Sequence, residues 1–358
     1  MRIAIDCRWI LPRLSGVGKH TETLLEGLAQ VDRVNRYLLL KAPLVNFDVF
    51  SRSNQWKLPR LLKRLDVNLY HSPNFMISLM IPKTIKVVIT VHDLIPWKFP
   101  DYTPRARKTK FNWLFKLIIK RAVRRADRII AVSHNTARDI QECLGVPAKK
   151  IKVVYNSVGP EFFVPLNITK NSNPGKKMAD YILFVGRADP YKNLAGLVRA
   201  YGKLVKKHNI THKLMIVGEE DPRYPEVPEL VKKLGLEDKV IFYGYVEQER
   251  LVDLYRRASV LVMPSLYEGF GLPVLEAMIC GVPVIASNTP ALAEIAGGNA
   301  LLVDPRDTGK LTDAIYKVIS DADFAGQLAE KGRVYANQFT IEKMAKKTVT
   351  VYESCFSA

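Results

Sequence analysis

The densest group of potential functional residues is the segment P-S-L-Y-E-G-F-G-L-P-V-L-E-A-M, residues 264–278. Pro273 suits the first turn of a helix, so Gly269–Leu272 would lie at a helix N-terminus, where free amides favour an anion such as phosphate. Glu268 in the loop and Glu276 in the helix could accept hydrogen bonds from ribose or hexose hydroxyls. The segment therefore predicts a site for a phosphorylated sugar. The alternative is that both glutamates only complement the helix dipole on a solvated surface.

A second group of charged residues lies in G-R-A-D-P-Y-K-N, residues 186–193. Arg187 and Lys192 would flank a helix N-terminus, where cations are unfavourable unless an anion lies between them. A bound diphosphate would supply that anion. The alternative is that Asp189 and Glu219 neutralise both cations as ordinary surface ion pairs.

The segment S-G-V-G-K-H-T, residues 15–21, argues against two nucleotide-binding classes. Arg13 occupies the place of the first glycine of a P-loop, and His20 follows the lysine where a magnesium-binding Ser or Thr belongs. Thr21 occupies the third glycine position of the dinucleotide fingerprint. We therefore expect neither a nucleoside triphosphatase nor a nicotinamide-dependent dehydrogenase, and we interpret the segment as a flexible glycine turn.

Two histidines follow apolar runs in the first half, His71 in H-S-P-N, which ends at Asn74, and His92 in H-D, which ends at Asp93. The carboxyl ends of parallel strands form the ligand edge of an open α/β sheet. Imidazoles at that edge could bind a donor or acceptor hydroxyl. Each histidine could equally be structural and bond a loop carbonyl.

We expect neither a metal site nor a disulfide. No His, Asp and Glu group has metal-ligand spacing, and D-A-D at residues 321–323 is better explained as a helix cap. The four cysteines form no C-x-x-C pair and are expected to be single buried thiols: Cys7, Cys143, Cys280 and Cys355.

Twelve short apolar runs could position these segments. They are continuous rather than alternating, as parallel strands covered on both faces require, and the spacers are long enough for crossover helices. The runs are residues 3–6, 37–40, 67–71, 85–91, 128–132 and 152–155, then 181–185, 213–217, 239–243, 259–263, 282–286 and 300–303. The sequence thus predicts an α/β protein of two doubly wound, Rossmann-like domains.

The 358 residues suit two domains of ordinary size. Pro, Gly and Asn cluster around residues 157–179, so we place a first domain at 1–160, a linker at 161–175 and a second domain at 176–340. The last helical pattern, within 341–358, has no strand after it, and we expect it to pack back on the first domain.

The positive charge is confined to the first half. Residues 1–160 contain 29 basic and 11 acidic side chains, and residues 161–358 contain 25 and 24. Such a charge excess implies an anionic partner, which could be nucleic acid, a phospholipid surface or a phosphorylated substrate. Asp6 interrupts the apolar run that a secretory signal would need, so we expect a cytoplasmic protein.

The segment Pro104–Arg128 holds ten of the basic residues and one acidic residue. It places an apolar stripe on one helical face: Phe111, Leu114, Phe115, Ile118, Ile119 and Ala122. Either this helix docks on its own sheet with a solvated basic face, or it attaches to anionic lipid. The apolar run Phe75–Ile81 is too short to span a membrane, but a loop could not easily bury all of it.

Taken together, these motifs resemble those of the retaining family 4 glycosyltransferases of GT-B fold, most closely the bacterial mannosyltransferases. Two glutamates eight residues apart, followed by C-G-V-P-V-I-A-S-N, are the most specific part of the resemblance. G-R-A-D-P-Y-K-N, I-T-V-H-D-L-I-P, Y-H-S-P-N-F and S-G-V-G-K-H-T match in the expected order. The resemblance implies two domains facing a central cleft, and transfer of a hexose without a metal or other cofactor.

The resemblance also implies a role for each motif. Arg187 and Lys192 would bind the diphosphate of the donor, and Glu276 its ribose. Glu268 and the following loop would hold the sugar and its leaving phosphate, through Gly269, Phe270, Gly271 and Leu272. His92 would lie near the reacting centre and Gly16 near the diphosphate. The acceptor side would include Gly18, His71, Asn74 and Asp93. Lys19-His20 departs from the Arg-Tyr of many relatives.

The favoured donor is GDP-mannose, and the favoured acceptor is a saccharide or lipid-linked saccharide of surface glycan synthesis. A UDP-sugar such as UDP-glucose is an alternative donor. A basic nucleic-acid-binding protein is the alternative class, but we expect the basic segment to lack interleaved exposed aromatics, so we expect no nucleic acid partner. Peripheral attachment to the inner face of a membrane is a further hypothesis.

Overall fold

A computed structural model of the chain describes residues 1–11, 16–100, 112–164, 180–219 and 221–357. These residues form two structural units, the first comprising Met1–Ser157 with Phe339–Ala358 and the second Val158–Gln338. Parts of three predicted features lie outside the described residues. They are the linker from residue 165 onward, Ser15 of the glycine segment with Arg13 before it, and residues 104–111 of the basic segment, which include Phe111 of the apolar stripe.

The first unit contains a six-stranded parallel sheet. Its strands are β1 (Arg2–Asp6), β2 (Arg36–Leu40), β3 (Leu69–Ser72), β4 (Lys86–Val91), β5 (Arg128–Ala131) and β6 (Ile151–Val153). They lie in the order β2-β1-β3-β4-β5-β6. All six predicted runs form strands; the four central strands are almost entirely buried, and the edge strands β2 and β6 are partly exposed.

Helices cover both faces of this sheet. They are α1 (Gly16–Val31), α2 (Asn54–Arg64), α3 (Ile95–Lys98), α4 (Asn112–Arg125) and α5 (His134–Leu144), with the last helix of the chain, Ile341–Glu353. That last helix packs against α1. A Cβ atom on Gly27 of α1 would lie 2.6 Å from the carbonyl oxygen of Ile341, so this close approach requires glycine.

Helix α4, which holds most of the described part of the basic segment, and the apolar run both dock on the first sheet. Ile119, Ala122 and Val123 of α4 are buried in the core. Ile77 and Ile81 are buried there too, and Phe75 and Leu79 pack against the same core. The loop does not bury the whole run, as expected: Ile77 and Ile81 are buried, Phe75, Met76 and Leu79 are partly buried, and Met80 is 62% exposed.

The second unit contains another six-stranded parallel sheet. Its strands are β7 (Tyr181–Val185), β8 (Lys213–Val217), β9 (Val240–Gly244), β10 (Val260–Met263), β11 (Val284–Ser287) and β12 (Leu301–Val303). They lie in the order β12-β11-β10-β7-β8-β9. The two sheets confirm the predicted doubly wound α/β class.

Seven helices among the described residues flank the second sheet. They are α6 (Leu194–His208), α7 (Glu226–Lys233), α8 (Gln248–Arg256), α9 (Leu272–Ile279), α10 (Pro290–Ala296), α11 (Thr308–Ser320) and α12 (Ala322–Ala336); the last helix of the first unit is then α13. Asp321 caps α12 by accepting a hydrogen bond from the Phe324 amide at 2.9 Å, as predicted. No helix of the described residues is long and apolar enough to cross a membrane.

Candidate functional site

Two loops of the second unit meet at the carboxyl ends of the paired strands β7 and β10. The Leu266 amide donates to the Tyr191 carbonyl at 2.7 Å. Asn193, in the left-handed conformation with φ of 56°, donates from Nδ2 to the Pro264 carbonyl at 3.1 Å and to the Pro305 carbonyl at 2.7 Å. These bonds fix the loop that carries Arg187 and Lys192 against the loop that carries Glu268.

Lys192 and Glu268 form an ion pair, with Lys192 Nζ 2.7 Å from Glu268 Oε1. Their side chains are only 16% and 10% exposed. Pairing of Lys192 with Glu219, one of the alternatives considered above, is not what the structure shows. Burying an ion pair costs desolvation free energy. A largely buried pair at the ligand edge of a sheet is therefore typical of a functional site.

Arg187 pairs with Asp189, as the surface ion-pair alternative proposed. Arg187 donates from Nε to Asp189 Oδ2 at 3.1 Å, and its Nη2 lies 2.9 Å from the same oxygen. The Tyr191 hydroxyl donates to that oxygen at 3.3 Å. Because the Arg187 side chain is 55% exposed, the remaining guanidinium donors are accessible to an anion.

Gly271 begins helix α9 in a conformation that requires glycine. Its φ is 103°, and an added Cβ would lie 2.5 Å from Leu292 Cδ2. Pro273 occupies the first turn, as predicted. Phe270 beside it is buried. The loop therefore presents the N-terminus of an eight-residue helix next to the Lys192–Glu268 pair, which is an arrangement suited to phosphate oxygens.

Glu276 lies one turn inside α9 and is fixed by a tyrosine. The Tyr255 hydroxyl of α8 donates to Glu276 Oε2 at 2.7 Å. Burial, and then the charge of Glu276, raise the pKa of Tyr255 well above its ordinary value, so the phenol keeps its proton. The sequence did not predict a role for Tyr255, because the only sequence feature of this residue is its position on the apolar face of α8.

In the first unit, His92 follows β4 and bonds a loop carbonyl. Its Nε2 lies 2.9 Å from the Pro73 carbonyl oxygen, which can only accept, so the proton is on Nε2 and Nδ1 is left as an acceptor. Burial lowers the pKa of His92 to about 4. This low pKa keeps the ring neutral. Because the ring is only partly buried, its Nδ1 is suited to accept a hydrogen bond from a sugar hydroxyl.

His20 packs edge-on against His92, with ring centroids 4.8 Å apart and an angle of 80° between the planes. It is 6% exposed, and among the described residues neither of its ring nitrogens has a hydrogen-bond partner. Burial, followed by the charges of His92 and His71, lowers the pKa of His20 well below its ordinary value. The sequence signal for this contact was the departure from the family pattern at Lys19-His20.

The structure corrects the prediction for His71. This side chain is entirely buried, and it bonds Tyr352 OH through Nδ1 at 2.7 Å and Thr90 Oγ1 through Nε2 at 2.9 Å. Burial, and then the charge of His92, lower its pKa to about 3. His71 therefore joins α13 to the sheet and is unable to contact an acceptor.

Of the remaining residues predicted in the first unit, Asn74 and Asp93 lie in loops, whereas Gly16 and Gly18 lie at the start of α1, so the prediction of a flexible glycine turn is wrong for residues 16–21. Asn74 Oδ1 accepts from the Met76 amide at 3.3 Å, and Asp93 Oδ1 accepts from the Ile95 amide at 3.1 Å. Both side chains are partly exposed, Gly16 is exposed and Gly18 is buried. Open space surrounds the position of a Cβ on Gly16, so this glycine leaves room at the start of α1.

All four cysteines are free thiols, two of them buried and two partly buried. Within the described ranges, no three His, Cys, Asp or Glu side chains are grouped so that they could hold a metal ion. Where the loops that follow β7 and β10 meet, cationic side chains and the amides at the start of α9 are the groups placed to receive an anion.

Two protein-family models match the chain. The model described as Glycosyltransferase Family 4 matches residues 18–162, and the model described as Glycosyl transferases group 1 matches residues 167–335. Together they cover most of both units.

Two curated relatives are bacterial mannosyltransferases. O-antigen chain mannosyltransferase B of Escherichia coli is 29% identical over 289 residues, which are 80% of this chain and 74% of that protein. O-antigen chain mannosyltransferase RfbU of Salmonella typhimurium is 33% identical over 238 residues, which are 66% of this chain and 62% of that protein.

Among solved structures, Anabaena HepE in complex with UDP and glucose matches with a TM-score of 0.75 and 18% identity, over 99% of this chain and 100% of that one. A similarity at this level of identity concerns the fold alone. It agrees with the two doubly wound units described above.

Proposed function

Because this chain belongs to the glycosyltransferases of GT-B fold, with a family 4 region followed by a group 1 region, we propose that it transfers mannose from GDP-mannose with retention of anomeric configuration. The observation that carries the proposal is the buried Lys192–Glu268 ion pair beside the N-terminus of α9. In this arrangement a cation and helix amides would bind the diphosphate of the donor, and the carboxylate next to them would accept hydrogen bonds from the sugar.

The second unit would stabilise the departing nucleoside diphosphate. Lys192, the exposed donors of Arg187 and the amides at the start of α9 would face charge that grows as the bond to the sugar breaks. Glu276, oriented by Tyr255, would accept from the ribose hydroxyls. In the first unit, His92 Nδ1 would accept from a hydroxyl of the transferred sugar, and Gly16 would leave room for the phosphates.

Mannose is favoured as the sugar because the two relatives above are mannosyltransferases. The acceptor would be a saccharide or lipid-linked saccharide, since both relatives are named for O-antigen chains. The second candidate donor is UDP-glucose, because the structural neighbour HepE holds UDP and glucose.

Acceptor-free hydrolysis tests the donor. We expect the full chain to release GDP from GDP-mannose at least tenfold faster than UDP from UDP-glucose, with thermal stabilisation by GDP exceeding that by UDP. GDP-glucose is the matched control, since it separates recognition of the base from recognition of the sugar. Faster turnover of UDP-glucose would overturn the choice of donor, and a β-configured product from the α-configured donor would overturn retention.

We also propose that the first unit attaches to an anionic membrane surface through a basic face on α2 and α4, which pack on the same core. This face carries exposed Lys57, Arg60, Lys63, Arg64, Lys120, Arg121 and Arg124. Trp56 and Trp113 are exposed on the same two helices, at 44% and 67%, so the expectation that the basic segment lacks exposed aromatics is wrong at Trp113. Tryptophan beside basic residues is typical of membrane-surface helices.

Co-sedimentation with vesicles tests this attachment. We expect binding to vesicles containing phosphatidylglycerol at low salt, weaker binding at high salt, and a loss of binding in the double variant Arg121→Ser/Arg124→Ser. The matched control Lys232→Ser/Lys233→Ser removes the same charge from α7 of the second unit. Equal binding to neutral phosphatidylcholine vesicles, or no binding at low salt, would contradict the attachment.

A further inference from the structure

A cavity of about 470 Å³ opens on the first unit at the carboxyl ends of β1 and β2. Cys7 follows β1, Lys41 follows β2, and one face of α1 supplies Lys19, Glu22 and Glu26. This is the edge at which open parallel sheets bind ligands, and the volume is within the range of small-molecule sites. Apart from Lys19, no residue of this cavity belongs to the motifs discussed above.

The inner part of the cavity is apolar. Cys7 is 1% exposed, and Ile10 and Leu25 line the cavity beside it. Burial, and then the charge of Asp6, raise the pKa of the Cys7 thiol to about 12, so the sulfur is uncharged at neutral pH. The buried Thr23 donates its hydroxyl to the Lys19 carbonyl at 2.8 Å within α1. This part of the cavity therefore suits a C–H surface.

The outer part of the cavity carries two cations and two carboxylates, although the first half of the chain is strongly basic. Glu22 and Glu26 lie four residues apart on α1, a spacing at which like charges destabilise a helix. Among the described residues, neither forms an ion pair within 4.0 Å. The two carboxylates thus lie on the same face of α1, where both line the cavity.

We propose that this cavity binds a neutral saccharide segment of the acceptor. One face of a sugar ring would pack on Ile10 and Leu25, while hydroxyls would donate to Glu22 and Glu26 and accept from Lys41. Lys19 and Lys41 balance the charges of Glu22 and Glu26, so the lining has no formal net positive charge with which to hold a phosphate or a uronic acid, and it suits a neutral ligand. The inference rests on the proposed function and extends it to the class of acceptor.

The test uses the full chain with α-1,2-mannobiose as a neutral probe, in saturation-transfer NMR. We expect the wild type to bind the probe and the variant Glu22→Gln/Glu26→Gln to bind it at least tenfold more weakly. The matched control is Glu142→Gln/Glu353→Gln, which removes the same charge from α5 and α13 of the same unit. Inorganic phosphate at equal concentration should not displace the probe.

A second variant controls for the possibility that Glu22→Gln/Glu26→Gln misfolds. Ile10→Trp fills the cavity without changing its charge, and it should also weaken probe binding at least tenfold, with a circular dichroism spectrum like that of the wild type. In transfer assays the acceptor KM should rise at least tenfold in both variants, with a smaller change in the donor KM.

Equal probe binding by the cavity variants and the control, no binding of the probe by the wild type, or displacement by phosphate would overturn the inference. Hydrolysis of GDP-mannose without an acceptor reports on the proposed function separately. A wild type that hydrolyses the donor but is unaffected by the cavity variants would refute only the acceptor site.

Discussion

Replacing Lys192 with methionine should separate the structural and catalytic roles of the Lys192–Glu268 pair. The Nζ to Oε1 distance is 2.7 Å, and both side chains are largely buried, at 16% and 10% exposure. Removing one partner of a buried ion pair costs about 3–5 kcal/mol, and the residual exposure here favours the lower end, about 3 kcal/mol. In Lys192→Met this penalty arises because the Glu268 carboxylate stays in place without its cation.

The double variant Lys192→Met/Glu268→Gln should recover most of that stability, since no buried carboxylate is left unpaired. Activity should not recover. Loss of a cation that stabilises developing phosphate charge costs about 2–4 kcal/mol, which corresponds to a roughly 30- to 900-fold fall in kcat/KM. Urea unfolding of all four members of the cycle gives the stability coupling, and initial rates of donor hydrolysis give the kinetic effect.

Lys207→Met is the matched control in the same unit. Lys207 pairs with Asp313 at 3.2 Å, but the side chains are 61% and 67% exposed. We expect a change of less than about 0.5 kcal/mol in stability, because solvent screens exposed ion pairs. If Lys192→Met changes stability and kcat/KM no more than Lys207→Met does, the assignment of the ion pair to the active site is refuted.

Three further outcomes follow from the same geometry. Glu276→Gln should raise the donor KM with little change in kcat, because a ribose contact is equally strong in the ground and transition states. Glu268→Gln should instead lower kcat. Steady-state kinetics of the two variants would show whether these roles are reversed. GDP-mannose hydrolysis should persist in EDTA, and a requirement for added magnesium or manganese would refute this expectation. Because the folded pKa of His71 is lowered to about 3, its contribution to stability is complete above pH 6.5 and is lost as the pH falls towards 3. Between pH 7 and pH 5 this histidine should account for about 2 kcal/mol of lost stability, so urea unfolding of His71→Asn should depend less steeply on pH. The same substitution at the exposed His134 serves as the control.

The sequence alone was sufficient to predict the strands and the start of α9. Each strand is a short run of mainly apolar residues, and the runs at the centre of each sheet are buried, so the sequence signal of a strand is continuous and local. Pro273 and Gly271 likewise act through their own backbone geometry. Since strands of a doubly wound sheet are parallel, their following loops share one edge, and the loops containing Arg187 and Glu268 could be placed there without a structure.

The tertiary structure decided which side chains meet at that edge. Lys192 and Glu268 are 76 residues apart, and they pair because β10 lies beside β7 in the sheet order, which local patterns do not encode. His71 shows the same limit, because its partner Tyr352 is 281 residues away on α13. An imidazole at a strand end has the same local sequence whether a distant helix covers it or solvent reaches it. His92 and His71 thus have similar sequence signals and different fates, because burial is a property of the packed unit and not of the segment.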